Sequence, residues 1–155
     1  QTAQFPELRL KLYKMGRDQA RHEKILFETH RSLPQHHQFG FALENTMEST
    51  MAKGIYIRVV FSWRGHDIFK APSFRAPRYK GWTAQVSQLV CEQPAVLTFG
   101  DPDLPCFYGQ PVEWDNVRLT LPEHMNGYLL VHYKVSSVQP HTENSGDLRI
   151  VLGDG

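Results

Sequence analysis

Residues 69–82 of this chain, Phe69-Lys70-Ala71-Pro72-Ser73-Phe74-Arg75-Ala76-Pro77-Arg78-Tyr79-Lys80-Gly81-Trp82, combine four cations, four aromatics and two prolines with no acid. Guanidinium and ammonium groups attract phosphate or carboxylate. Aromatic faces stack on bases, sugars or a partner's side chains, and prolines lower the ordering cost of contact. The stretch predicts a binding loop using Lys70, Phe74, Arg75, Arg78, Tyr79, Lys80 and Trp82. The same composition has a structural explanation, in which the aromatics tuck inward as anchors and the cations solvate the outside. If the loop binds, its charge favours an anion: an acidic protein segment, a phosphoinositide headgroup or nucleic acid.

Other residue types capable of chemistry are present without the spacing that chemistry requires. There are eight histidines. His36 and His37 are adjacent, which on a strand sends them to opposite faces, while His22 and His30 have neither the i, i+4 spacing of a helical chelate nor the i, i+2 spacing of a strand one. His66, His124 and His141 fall at expected turns. Cys91 and Cys106 do not form a C-x-x-C pair, although they could bridge across a loop. The carboxylate pairs Asp101/Asp103 and Glu113/Asp115 suggest acid and base, or part of a calcium site. Calcium takes more oxygen donors than these supply, and Asp101-Pro102-Asp103-Leu104-Pro105 reads as a rigid turn whose carboxylates cap backbone N–H groups. The nucleophile elbow, the phosphate-binding and dinucleotide-binding glycine loops and the H-E-x-x-H zinc motif are all missing from the sequence. No catalytic residue, metal ligand or cofactor is expected, and the chain is expected not to be an enzyme.

The elements that must carry these residues are strands. Leu8, Leu10 and Leu12 alternate with Arg9 and Lys11. Ile55, Ile57, Val59, Phe61 and Trp63 form one face opposite Tyr56, Arg58 and Ser62. The same period of two recurs at Val117/Leu119/Leu121, at Leu129/Val131/Tyr133/Val135 and at Leu148/Ile150/Leu152, the pattern of strands with one dry face. Less regular candidates are 23–30, 37–44, 67–70, 83–90 and 95–99, of which 23–30 could equally be a short helix because it is rich in helix formers. Arg64-Gly65-His66-Asp67 and Asn126-Gly127 predict tight turns between hairpin strands, and 71–81 and 100–111 predict surface loops. Thr46 to Lys53 reads as a polar connector with room for a helical turn.

At 155 residues the sequence suits one domain spanning 1–155. The expected fold is all-β, an antiparallel two-sheet β-sandwich of C2-like, immunoglobulin-like or jelly-roll kind with at most one short helix. The net charge of +1 divides unevenly, +7 over residues 1–80 and −6 over residues 81–155. Either the halves interleave and neutralise one another, or the surface is bipolar. No basic start followed by an apolar stretch opens the sequence, no transmembrane segment is expected, and no Asn-x-Ser/Thr sequon is present. Together with only two cysteines, these features predict an intracellular, cytoplasmic protein.

Val112-Glu113-Trp114-Asp115-Asn116-Val117-Arg118-Leu119-Thr120-Leu121-Pro122, followed by Gly127-Tyr128-Leu129-Leu130-Val131-His132-Tyr133, resembles the strand pair of C2-type domains in which a tryptophan-bearing strand turns into an apolar one. Gly54-Ile55-Tyr56-Ile57-Arg58-Val59-Val60-Phe61 is similar to the Gly-x-Tyr strand of tumour-necrosis-factor-like jelly rolls, without that family's Tyr-Ser-Gln continuation. Each resemblance implies a β-sandwich; neither names a family. The expected function is a non-catalytic binding module that recognises a protein partner or an anionic surface through residues 69–82. The alternatives are a self-associating structural subunit, as in viral or trimeric jelly rolls, and a nucleic-acid-binding immunoglobulin-like domain.

Overall fold

Alternation predicts which side chains face inward, and the computed structural model buries them. It describes residues 4–16, 20–29, 35–65, 73–75, 78–79, 82–83, 85–86, 95–121 and 126–153. Twelve strands are present: β1 (Leu8–Lys14), β2 (Lys24–Glu28), β3 (Gln35–Asn45), β4 (Met51–Gly65), β5 (Ser73–Arg75), β6 (Arg78–Tyr79), β7 (Trp82–Thr83), β8 (Gln85–Val86), β9 (Ala95–Phe107), β10 (Val112–Leu121), β11 (Gly127–Val138) and β12 (His141–Gly153). The fold is all-β, and the described residues contain no helix, so none long and apolar enough to cross a membrane.

The strands form two sheets in a sandwich-like arrangement. The first runs β1-β3-β10-β6-β7, with β5 also against β10; the second runs β2-β12-β11-β4-β9-β8. Leu8, Leu10, Leu12, Ile57, Val131, Leu119 and Ile150 are all buried between them, each contributing about 1.5–3 kcal/mol of apolar burial. An aromatic chain crosses the interior. Phe41 of β3 meets Phe39 at 5.6 Å, Phe61 at 6.4 Å and Phe99 at 5.3 Å, and Phe99 meets Trp114 edge-on at 5.2 Å. On one side a backbone bridge ties the sheets together, Leu12 and His22 exchanging N–H···O bonds of 2.7 Å.

Several expectations are corrected. Residues 24–28 are a strand rather than a helix, because Ile25 and Phe27 point inward with period two and pairing with β12 overrides helix propensity. That pairing is parallel, so the second sheet is mixed rather than purely antiparallel. Asn126-Gly127 is not a hairpin turn: β10 belongs to the first sheet and β11 to the second. The C2-type strand pair suggested by that segment is therefore not a paired hairpin. Gly65, expected in a turn, still pairs with Gly127, and the candidate strand 67–70 lies outside the described residues. The hairpin the sequence did not announce is β11–β12, turning at Gln139-Pro140.

The expected loop at 100–111 is strand as far as Phe107. It holds a bulge in which Asp101 and Pro105 face Ile55 and Lys53 of β4. The Asp103 N–H donates to Asp101 Oδ1 at 2.8 Å, the carboxylate cap the sequence suggested. Gly54, opposite the bulge at φ 76°, takes a left-handed conformation that other residues adopt only with strain. The two sequence halves interleave in both sheets, β3 beside β10 and β4 beside β9 and β11. The opposite charges of the halves therefore meet across neighbouring strands.

Candidate functional site

The outer face of the first sheet is built from what β3 leaves uncovered. Phe39, Phe41 and Leu43 point into the core, so Gln38, Gly40, Ala42 and Glu44 face out. The small residues at its centre let neighbours lie across it. Tyr13, directly opposite Gly40 in register, rests on it so closely that a Cβ there would stand 2.3 Å from the ring. Its hydroxyl is buried and meets no hydrogen-bond partner among the described residues. Burial foremost, then the nearby Glu113 and Asp115, raise its pKa well above the ordinary range, against the pull of Arg21. Around it lies an ion-pair network: Arg21 Nη2 to Glu113 Oε1 at 2.5 Å, Arg21 Nη1 to Glu44 at 3.8 Å and Lys11 Nζ to Glu44 at 3.5 Å.

At the other end of the face the charges are of one sign. On β10 the register slips between Trp114 and Val117, so that three steps of this strand match two of β3. The extra residue resets the alternation. Trp114 and Val117 both face the core, and Arg118 and Thr120 face out. Without the bulge, Arg118 would share Trp114's inward side. Lys14, Met15, Phe27, His36, His37, Gln38 and Arg118 line a cleft of about 540 Å³. His36 and His37 are on opposite faces of β3, as expected, yet both reach it, because the cleft sits at the end of the sandwich. His37 stacks on Phe27 at 4.7 Å, Lys14 Nζ lies 5.4 Å from the Phe27 ring centre, and His36 Nδ1 is 3.0 Å from Thr120 Oγ1. The Arg118 Nε is buried with no hydrogen-bond acceptor among the described residues, and no carboxylate is among those lining the cleft.

The predicted binding stretch adjoins this cleft in part. It is not an open loop: β5 and β6 pair with β10, and β7 pairs with β6. Phe74 and Arg75 stand on β5, Arg78 and Tyr79 on β6, and Trp82 on β7. Lys70 and Lys80 lie outside the described residues, as do the side chains of the whole stretch. The register sets Arg75 directly opposite Arg118, and Arg78 opposite Asp115. Directly opposite positions of an antiparallel pair share a face, so like charges there repel. The sequence missed Lys14, His36, His37 and Arg118 because strands distant in sequence bring them together. The available signal was a run of polar side chains on alternate positions of β3 and β10.

Cys106 is a free, fully buried thiol. Burial pushes its pKa up to about 11, against the opposing contact with Asn45, which marks it as an inert core group. Asn45 itself is buried and holds the β3–β4 crossover: it accepts from the Met47 N–H at 3.1 Å and donates to the Thr50 carbonyl at 3.1 Å.

No known protein family matches the sequence, and no curated protein matches it. In structure the chain is similar to AvmM, which catalyses macrocyclization in alchivemycin A biosynthesis, at 10% identity and a TM-score of 0.49, over 96% of this chain and 89% of that one. It is similar to the N-terminal domain of PorA at 13% identity and a TM-score of 0.46, over 95% and 100% of the two chains. A family 123 glycoside hydrolase from Clostridium perfringens, studied for glycolipid glycan hydrolysis, is similar at 6% identity and a TM-score of 0.39, over 96% of this chain and 28% of that one. At such identities and scores these similarities carry nothing about what this chain does.

Proposed function

We propose that the 155 residues act as one non-catalytic interaction module, which recognises a protein partner through an anionic group seated in the basic cleft, with residues 69–82 at its rim. The observation that carries this reading is Arg118: its Nε is buried without an acceptor among the described residues, and the register sets it opposite a second arginine. A desolvated guanidinium that finds no counter-ion costs stability, and an incoming anion offsets that cost. The strand connections, which mostly alternate between the two sheets, support the jelly-roll form of sandwich over the immunoglobulin-like and C2-like forms. Self-association loses one support, because interleaving of the two halves removes the simple basis for a bipolar surface. Nucleic-acid binding has the cleft in its favour and the near-neutral net charge against it. The free thiol of Cys106 agrees with an intracellular setting.

The test is binding of fluorescent polyglutamate at low and at high salt to the natural chain and to a variant carrying Arg75→Ala, Arg78→Ala, Lys80→Ala and Arg118→Ala. Salt-sensitive binding that the variant loses, with its melting temperature held within a few degrees, is expected. Equal binding by both proteins overturns the assignment of the site. Light scattering on the eluting protein addresses the self-associating alternative.

A further inference from the structure

The three strands bordering the cleft form a small grid. Across β3, β10 and β5 one row reads Gln38, Arg118, Arg75, and the next reads His36, Thr120, Ser73. Strands stand about 4.8 Å apart and same-face rows about 7 Å apart, so the grid covers an area comparable with one small oxyanion and its immediate surroundings. Every one of the six positions carries a residue type able to donate a hydrogen bond, and none carries a carboxylate. Lys14, lining the same cleft, adds an ammonium group.

We infer that the group this cleft takes is a phosphate monoester borne on an extended segment of a partner protein, an inference that rests on the cleft being an anion site. A carboxylate brings one charge and two oxygens, which leaves most of these donors and at least one cation unanswered. A phosphate monoester brings a charge of about −1.5 to −2 at neutral pH and three terminal oxygens, matching two register-paired guanidinium groups flanked by hydroxyls. The carrier follows from the surroundings. Glu44, Glu113 and Asp115 stand on the same outer face, where the broad negative surface of an anionic bilayer would meet them. A peptide can reach the grid without crossing them. Among the described strands β5 is hydrogen-bonded along one side only, to β10, so its other side is available for an added strand.

The experiment is calorimetric titration of the full chain at neutral pH with phenyl phosphate and with phenyl sulfate, a probe of the same shape that carries a single charge. It is repeated with a phosphotyrosine peptide, its unphosphorylated twin, and phosphatidylcholine vesicles containing phosphatidic acid. The expected result is binding of phenyl phosphate roughly tenfold or more tighter than phenyl sulfate. The phosphopeptide should bind tighter still, its twin should fail to bind, and the vesicles should bind more weakly than the phosphopeptide. Arg118→Ala should lose the phosphate preference at an unchanged melting temperature, and Arg118→Lys should recover it only in part. Equal affinity for phosphate and sulfate overturns this inference while leaving the anion site standing. Vesicle binding without phosphopeptide binding overturns the carrier. Failure to bind any of these probes while polyglutamate still binds overturns the phosphate assignment alone, whereas failure of polyglutamate as well removes the anion site itself.

Discussion

The outer face of the first sheet has two ends built from the same strands. At one, Lys11 and Arg21 meet Glu44 and Glu113; at the other, Lys14, His36 and Arg118 line a cleft whose described residues include no acid. On β10 itself the contrast is tighter: Asp115 stands opposite Arg78, whereas Arg118, beyond the bulge, stands opposite Arg75. The first end balances its charge internally and reads as structure. The second leaves a guanidinium desolvated, which a fold under selection for stability alone has little reason to keep.

This comparison depends on the faces being as described, and the severest way to break it is to attack the core. Ile57→Asp or Val131→Asp places an unpaired charge where neither side chain has any exposure. Either should cost more than about 4 kcal/mol and prevent folding, as circular dichroism would register. A soluble, folded mutant would mean the strand faces are reversed.

Making the open end resemble the closed one is the next test. Arg118→Glu sets an acid opposite Arg75 and should weaken anion binding on the order of 100-fold, while the melting temperature holds or rises. A large loss of stability instead would show that Arg118 serves the fold. The reverse change is milder. Glu113→Gln removes the shortest ion pair of the closed end; because both partners are about a third exposed, the expected loss is about 0.5–1 kcal/mol in a urea titration, with anion affinity untouched.

The smallest effect falls between the two ends. Tyr13→Phe removes a buried hydroxyl that meets no partner among the described residues, so it should be neutral or stabilise by up to about 1 kcal/mol. The sign at alkaline pH follows from burial. The folded phenol holds its proton above the ordinary value of 10.0, so its contribution is complete below that value and is lost as pH rises past it toward the folded pKa. Tyr13→Phe should therefore unfold less steeply above pH 10 than the natural chain. An identical alkaline profile would mean the hydroxyl is already solvated.

Much of this was legible in residue order. Five runs of alternation named inward rows that the structure buries, from Leu8–Leu12 to Leu148–Leu152, because a strand's side chains alternate whatever it pairs with. The carboxylate cap at Asp101 was equally local, spanning two residues. The basic character of 69–82 was visible as well, but its form was not, since its pairing with β10 joins residues more than thirty positions apart.

What the sequence by itself determined was an all-β chain, the side of each regular strand that faces water, and a cationic stretch next to a cation-free C-terminal region of the first sheet's partner strand only in composition. Tertiary structure alone decided which strands share a sheet, the parallel β2–β12 pair, the crossing from β10 to β11, and the meeting of Lys14, His36 and Arg118 at one cleft. The reason is physical: alternation is set by backbone geometry within a few residues, whereas partner choice and a one-residue bulge depend on the combined packing of both sheets, and that bulge determines which way Arg118 points.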